Sequence, residues 1–265
     1  MRLIALALAA AVAAPAMAQE AQPLPTRTGL PMEMPTLQED QALIAAIAAP
    51  TRPEADRARD AYRHPYETLT FWGLQPAQTV IEIEPGRAGW WSHILEPYLV
   101  QTGGRYVAVA RPLEGMGVED GSADMIVVAR AFHNWQRSGR TEPYLAAFFR
   151  ALKPGGILAV EQHRAAEGRD AASVAHTGYV PESYVVAAAE AAGFVLEARS
   201  DVNANAADDH VHPFGVWTLL PTRVSAPREG NAHDRPTPLT DEERAAHDAI
   251  GESDRMTLRF RKPAT

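Results

Sequence analysis

Three places in this 265-residue chain set chemically useful side chains at useful spacing. The first is TVIEIEPGRAGWWSHIL, Thr79 to Leu95, where an apolar stretch runs into an acid, a glycine turn and a helical pattern. Val80, Ile81 and Ile83 are β-branched and suit a buried strand, while Gly86 and Gly89 let the backbone turn sharply and come close to a ligand. Glu82 then stands near the carboxyl end of that strand, the side on which open α/β sheets bind ligands. A strand, turn and helix with a purely structural glycine would read the same way. The second place is a pair of histidines. His133 in ARAFHNW and His163 behind ILAVE each follow an apolar run, so both imidazoles are expected at the carboxyl edge of one sheet, suited to holding a reacting group or to base catalysis. The third is ADDHVH, Ala207 to His212, where Asp208, Asp209, His210 and His212 offer oxygen and imidazole ligands together. If the segment is extended, His210 and His212 share a face. No further well-spaced ligand group follows, and a polar loop is the favoured reading, with no metal expected.

Single residues near these places carry two readings each. His64, between Arg63 and Pro65, suits a lid over the site or an anchor for a helix end. Trp72, Trp90, Trp91 and Trp135 suit an aromatic cage for a cation, with ordinary core packing expected for at least two of them. Tyr62, Tyr66 and Phe71 read as packing residues.

These groups need elements to hold them, and apolar periodicity supplies the candidates. Leu43, Ile44 and Ile47 share one face of a helix that Pro50 stops. A second helix follows Pro53, with Glu54 and Asp56 at its amino end and Arg57, Arg59 and Arg63 favouring its carboxyl end. Strand and helix patterns then alternate. A strand at Thr79–Glu84 leads to a helix at about Gly89–Val100, then strands at Tyr106–Ala110 and Met125–Ala129. A helix at Pro143–Leu152 ends in LKPGG, where Lys153 complements the helix dipole and the turn opens into the strand ILAVE. A helix at Pro181–Ala192, a strand at Phe194–Arg199 and a last strand, MTLRF, complete the series. Between the last two, Pro221–Arg255 is polar and rich in proline, and reads as an insertion holding one helix with a capping box of Thr240 and Glu243. The alternation implies an α/β fold with a doubly wound, mainly parallel sheet whose final strand is antiparallel.

The formal charge of −8, with Lys153 and Lys262 the only lysines, argues against a nucleic-acid binder that works by neutralising phosphates. A small-molecule or protein partner is expected. The opening MRLIALALAAAVAAPAMA has the form of a signal peptide over residues 1–18, with a small-x-small cleavage site at Ala16 to Ala18. The run is too short for a membrane span and Pro15 interrupts it, so no stable membrane anchor is expected after cleavage. Residues 19–39 contain Pro23, Pro25, Pro31 and Pro35 and read as an extended tether. One domain is expected over 40–265. With no cysteine there is neither a disulfide framework nor a thiolate metal site. An exported protein, most simply periplasmic, is expected.

In this order the segments resemble class I S-adenosylmethionine-dependent methyltransferases, and within them a bacterial group of exported predicted methyltransferases, from roughly Arg57 to Pro263. The most specific part is DxxRHPxETLxFxG, formed by Asp60, Arg63, His64, Pro65, Glu67, Thr68, Leu69, Phe71 and Gly73. EIEPGRAGWW, GSADMIVVARAFHNW, LKPGGILAVEQH, the AAGF turn, ADDH and DRMTLRFRKP support it. The resemblance implies a Rossmann-like sheet and S-adenosylmethionine as cofactor. It places Glu82, Pro85, Gly86 and Gly89 around the methionine part of that cofactor, and Ala131, Phe132, His133 and Asn134 at the exit of the fourth strand, facing methyl donor and acceptor. Methyl transfer from a sulfonium needs mainly in-line alignment and, for an alcohol or amine acceptor, removal of a proton.

Three departures from that pattern stand in the chain. Glu84 and Ala88 occupy two glycine places of the usual loop, and a second carboxylate close to Glu82 would raise one of the two pKa values. The second strand ends in Ala110-Arg111, where the family places a ribose-binding acid, and Glu114 is the nearest substitute. Only RPLEGMGVEDGSA separates the second strand from the fourth, too short for a helix and a third strand, so that edge strand is expected to be missing. Two readings of function follow: a methyltransferase for an unknown small acceptor, with His133, Asn134 and His163 as catalytic candidates, or a non-catalytic binding or scaffold protein that kept the fold and lost the nucleotide pocket. A metal-dependent hydrolase built on ADDHVH is the weaker third.

Overall fold

A computed structural model describes residues 40–264; the expected signal peptide and the tether over 19–39 lie outside the described residues. The chain enters through α1 (Gln41–Ala48), whose amino end is capped by the Asp40 carboxylate accepting from the Leu43 amide. The single helix expected next is instead three short ones, α2 (Glu54–Arg57), α3 (Asp60–Arg63) and α4 (Pro65–Trp72). His64 stands between the last two in a left-handed conformation, φ 40°, and Pro65 restarts the helix at a position where no amide donor is needed. Gly73, at φ 83°, closes α4.

The alternating core follows as β1 (Thr79–Ile83), α5 (Ser92–Gln101), β2 (Arg105–Val109), β3 (Ala123–Ala129), α6 (Phe132–Ser138), α7 (Thr141–Ala151) and β4 (Leu152–Ala165). Then come α8 (Ala171–Val174), a 3-10 turn (Ala175–Thr177), the two-residue β5 (Val180–Pro181), α9 (Glu182–Ala191), β6 (Val195–Ser200), β7 (Pro213–Val216), α10 (Asp241–Ile250) and β8 (Arg255–Arg261). The main sheet has the order β2-β1-β3-β4-β8-β6, and β5 adds to β4 at Arg164 and Ala165. β2, β1, β3 and β4 are parallel, while β8 runs antiparallel between β4 and β6, pairing His163 with Arg255 at one end and Ile157 with Arg261 at the other. No strand lies between β2 and β3 among the described residues, as the short connection requires.

Alternation along the strands divides the core into two faces. Ile81, Ile83, Ile126, Val128, Leu158 and Val160 pack against Phe132, Trp135, Leu145, Phe148 and Val185 from α6, α7 and α9. Val80, Met125, Val127, Ile157 and Ala159 pack on the other side against Leu43, Leu69, Trp72, Ile94 and Leu99 from α1, α4 and α5. The sheet is thus doubly wound, and all the described elements belong to one compact unit. The four tryptophans are core: Trp72, Trp90 and Trp91 stack together on the α5 face, while Trp135 packs with Phe132 and Tyr144 on the other. The sheet separates them, so they form no common cage.

Within 221–255 the chain forms loops and one capped helix, α10, as far as Gly251. Glu252, Ser253, Asp254 and Arg255 are buried and belong to the sheet edge. They carry the polar letters of a loop because they make ion pairs there, not because they are solvated.

Candidate active site at the carboxyl edge of the sheet

The carboxyl ends of β1, β3 and β4 lie side by side, with Glu82 beside Val127 and Ala129 beside Glu161 in register. The chain passes from β1 to β2 on one side and then from β2 to β3 on the other side of β1, and such a switch point opens a crevice beyond the strand ends. Gly86 turns the loop there at φ 69°, and a Cβ built on it would meet nothing within 4 Å, so the space above the loop is open. Beside the loop, a cavity of about 470 Å³ is lined by Glu84, Ala110, Arg111, Glu114, Arg140 and Tyr144 among others. It joins the exits of β1 and β2 to the start of α7.

Glu82 does not face that cavity. It lies on the α5 side of the sheet, 2% exposed, and its Oε2 accepts from the Ser92 hydroxyl at 2.7 Å and the Tyr106 hydroxyl at 2.8 Å. Burial raises its pKa, and the two hydroxyls oppose that only in part. The neighbouring Glu84 is not the cause, contrary to the expectation of two crowded carboxylates. Glu84 instead turns to the other face at φ 49°, accepts from Trp135 Nε1 at 2.9 Å and lines the cavity. The residue that broke the glycine pattern is therefore the acid that faces the crevice. Glu114 lines it too, exposed and 3.2 Å from Arg111 Nη1.

Ala131 and Phe132 are buried in the α6 core, and the Phe132 amide donates to Gln162 Oε1 at 3.1 Å. His133 sits next to them, while Asn134 is exposed on the far side of α6, so the structure does not bring Asn134 to His133. It does bring His133 to His163, with ring centres 6.2 Å apart. Gln162 holds its amide by donating to the carbonyls of His163 and Gly178, which turns its nitrogen toward His133 Nδ1 at 3.5 Å. His163 Nδ1 shares a hydrogen bond of 2.6 Å with Ser253 Oγ. Burial pushes His133 down to about 4, with Arg130 adding to it, and burial followed by His133 and Arg130 holds His163 well below the ordinary histidine range. Both rings are neutral at neutral pH and each keeps a nitrogen able to take a proton.

Several polar groups meet at this edge that the sequence does not place together. Arg130 leaves β3 at φ 57°; Glu161 is fully buried in β4, and its Oε2 accepts from Trp91 Nε1. Arg255 and Glu252 arrive from β8 and the turn before it, and Arg63 from α3. Burial would raise Glu161, but Arg255, Arg63 and Arg130 together hold it below the usual carboxylate range. Arg59 and Arg63, expected to serve a helix dipole, pair with Glu252 instead. The signal was present in the RHP, VAR, EQH and SDR letters of the quoted segments, but nothing local tells which of these charges meet.

His64 anchors rather than closes, with Nδ1 3.4 Å from Asn203 Oδ1, and Asn203 also donates to Thr68 and Thr257. In ADDHVH, ligand atoms of Asp208, Asp209 and His212 lie within 4.8 Å of one another. Asp208 is nevertheless saturated: it accepts from Tyr179 Oη, the amides of Asp254 and His210, and His212 Nε2. That carboxylate ties three loops together, which explains the motif without an ion.

Residues 97–160 match the family described as methyltransferase domain. That span runs from within α5 into β4 and contains the β3 exit with His133. No curated protein matches the chain. Among solved structures, the chain is similar to a candidate sarcosine dimethylglycine methyltransferase from Galdieria sulphuraria, at 16% identity over 75% of this chain and 83% of that one, TM-score 0.47. It is also similar to a SAM-dependent methyltransferase from Aquifex aeolicus, at 18% identity over 55% and 87%, TM-score 0.43. A third, a SAM-dependent methyltransferase from Methanosarcina mazei, shares 11% identity over 76% and 99%, TM-score 0.43.

Proposed function

We propose that this protein is an exported S-adenosylmethionine-dependent methyltransferase acting on a small molecule. The observation that carries the reading is the open glycine turn at Gly86 beside the cavity lined by Glu84 and Glu114, set at the switch point of a doubly wound sheet. The methyltransferase-domain match over residues 97–160 supports it. A Cβ-free turn with open space above it fits the backbone of the cofactor's amino-acid part, with Gly86 as the close approach; Gly89, expected to share that role, instead faces Ser92, whose Oγ a Cβ there would meet at 3.3 Å. The carboxylates of Glu84 and Glu114 are the chain's available acceptors for ribose hydroxyls, in place of the acid absent at Ala110-Arg111. Glu82 supports the loop from below through Ser92 and Tyr106. The cofactor supplies a methyl group on a sulfonium. The chain's part is to align the acceptor and, where the acceptor carries a proton, to remove it, for which His163 and His133 are neutral bases of limited exposure at the β3 and β4 exits.

Calorimetric titration and thermal melting of the protein with S-adenosylmethionine and its demethylated product test the reading. Binding with stabilisation is expected, and weakening on Glu84→Gln; absence of both heat and stabilisation at millimolar ligand removes it. A second reading, a binding protein without transfer activity, draws on the Ala110-Arg111 ending of β2. It is favoured if the demethylated product binds yet no methyl donor is consumed with any acceptor pool. Amino-terminal sequencing of protein recovered from the cell exterior or periplasm is expected to begin at Gln19; an intact Met1 in a cytosolic fraction rejects export.

A further inference from the structure

On the α5 side of the carboxyl edge, four guanidinium groups, Arg59, Arg63, Arg130 and Arg255, gather around two carboxylates, Glu161 and Glu252. The carboxylates are two against four guanidiniums, and Glu161 Oε1 is their one buried oxygen without a hydrogen bond. Glu252 takes Arg59 Nε at 2.5 Å, Arg63 Nε at 3.2 Å and Arg255 Nη1 at 2.8 Å. Glu161 faces Arg255 Nε at 3.1 Å and accepts from Trp91. Arg255 spends its last edge on the Tyr62 carbonyl. Arg63 Nη1, Arg59 Nη2, Arg130 Nε and Arg255 Nε are buried without a hydrogen-bond acceptor, and among the described residues Arg130 has no ion-pair partner within 4.0 Å. Arg63 is only 1% exposed, its guanidinium 4.8 Å above the Trp90 ring, so it is held in place and cannot turn to water.

A surplus of two positive charges in a buried cluster is costly unless an anion joins it. The same crowding acts on the groups' pKa values: burial first, then Arg130 and Arg255, lower Arg63 to about 9, and burial with Arg59 and Arg255 lowers Arg130. The groups facing Arg130 are Glu161, Glu82, His133 and His163 on the sheet, Arg59 and Arg63 from the helices, and Glu252 and Arg255 from the last strand and its approach. Both histidines are neutral, and burial raises the pKa of Glu82, against which the charge of Arg130 is a smaller influence, and among the described residues Glu82 makes no ion pair with Arg130.

We propose that Arg59, Arg63 and Arg130 form a binding site for a dianionic oxyanion group, of the phosphate-monoester class, carried by the small-molecule ligand of this protein. Guanidinium edges match such oxygens in pairs, and a dianion matches the surplus where a single carboxylate would leave one charge unmet. The site adjoins His133 and His163 at the β3 and β4 exits, which places the reactive part of that ligand beside the two bases. Only the description of the ligand as a methyl acceptor rests on the methyltransferase reading; the anion site stands on the charges alone.

The test uses inorganic phosphate, with acetate as the single-charge control, in calorimetry and thermal melting of the protein and of Arg130→Gln. Phosphate is expected to bind saturably and raise the melting temperature, acetate to do neither at equal concentration. Arg130→Gln is expected to weaken phosphate by about tenfold or more, the size of one lost charge-assisted contact. Without phosphate it is expected to melt no lower than the parent, because an unpaired buried charge has been removed. Phosphate without effect, an equal effect on Arg130→Gln, or a phosphate-free melting point well below the parent overturns the proposal. Saturating S-adenosylhomocysteine is expected to leave phosphate binding intact; competitive loss would assign the arginines to the cofactor's carboxylate and also overturn it. If the demethylated cofactor does not bind at all, the phosphate result still decides the anion site while the methyltransferase reading falls.

Discussion

His133 is the residue whose chemistry the fold alters most legibly. Burial holds it at about 4 in the folded protein, below the ordinary histidine value of 6.5, so the unfolded chain binds more protons between those limits. Stability therefore rises with pH across that window and is lost as pH falls from about 6.5 to about 4, by at most ~3 kcal/mol from this group. Urea denaturation at pH 7 and pH 5 measures it; His133→Gln is expected to lose less stability between the two than the parent does. A catalytic role for the same ring predicts a rate nearly flat from pH 6 to pH 8, since the base is already neutral. Glu161 is the opposite case. It is a buried carboxylate held ionised by Arg255, Arg63 and Arg130, and Glu161→Gln should cost about 3–5 kcal/mol, as expected when one partner of a buried ion pair is removed. A loss below 1 kcal/mol in urea denaturation, within the range of exposed ion pairs, would show that the arginines do not depend on it. Residues of this kind are what the sequence conceals. His133 and His163 were legible as a pair because each sits one step beyond an apolar run, whereas the partners of Arg63 lie about as far away in the chain as it allows, with Arg63 and Glu252 separated by 189 positions.

At the scale of elements, the regular repeats were readable and the strained joints were not. β1, β2, β3 and β8 fall within a residue or two of their expected ends because strand patterns of β-branched and apolar residues are bounded by glycine or charge. α4 was passed over as a motif although Pro65 at its first position and Gly73 behind it mark a helix. α10 was foreseen from its cap, and Thr240 does accept from the Glu243 amide while Glu243 reaches back. Thr240→Ala is expected to cost about 1 kcal/mol, read by thermal melting, and to leave ligand binding untouched because the helix carries no buried residue. The loop after β1 behaves differently. Gly86→Ala meets no neighbour, so its cost is conformational, about 1–2 kcal/mol for a left-handed backbone, while its methyl enters the open space proposed for the cofactor. Cofactor affinity should fall by more than stability does; equal affinity in calorimetry would place the ligand elsewhere.

At the scale of the molecule, two helical layers over a mixed sheet were readable from the alternation of periods, and so was the missing edge strand, from thirteen letters that could not hold one. The arrangement of the far edge was less so, since β8 joins β4 and β6 from the end of the described chain. Those last residues do two jobs: Leu258 and Phe260 fill the core between the layers, and Glu252 to Arg255 complete the charged edge. A chain stopped after Gly251 is expected to lose cooperative thermal unfolding altogether, not merely the site, and circular dichroism during melting would show it. The order in which the polypeptide is made gives this arrangement a further consequence. Every other described element precedes β8, so during synthesis the growing sheet has a gap in its middle. β4 then waits with an apolar, unpaired edge beside it, the kind of edge that recruits strands from other molecules. The newborn chain is thus most exposed to aggregation just before its final strand arrives, and a helper that shields nascent proteins would find its natural target there.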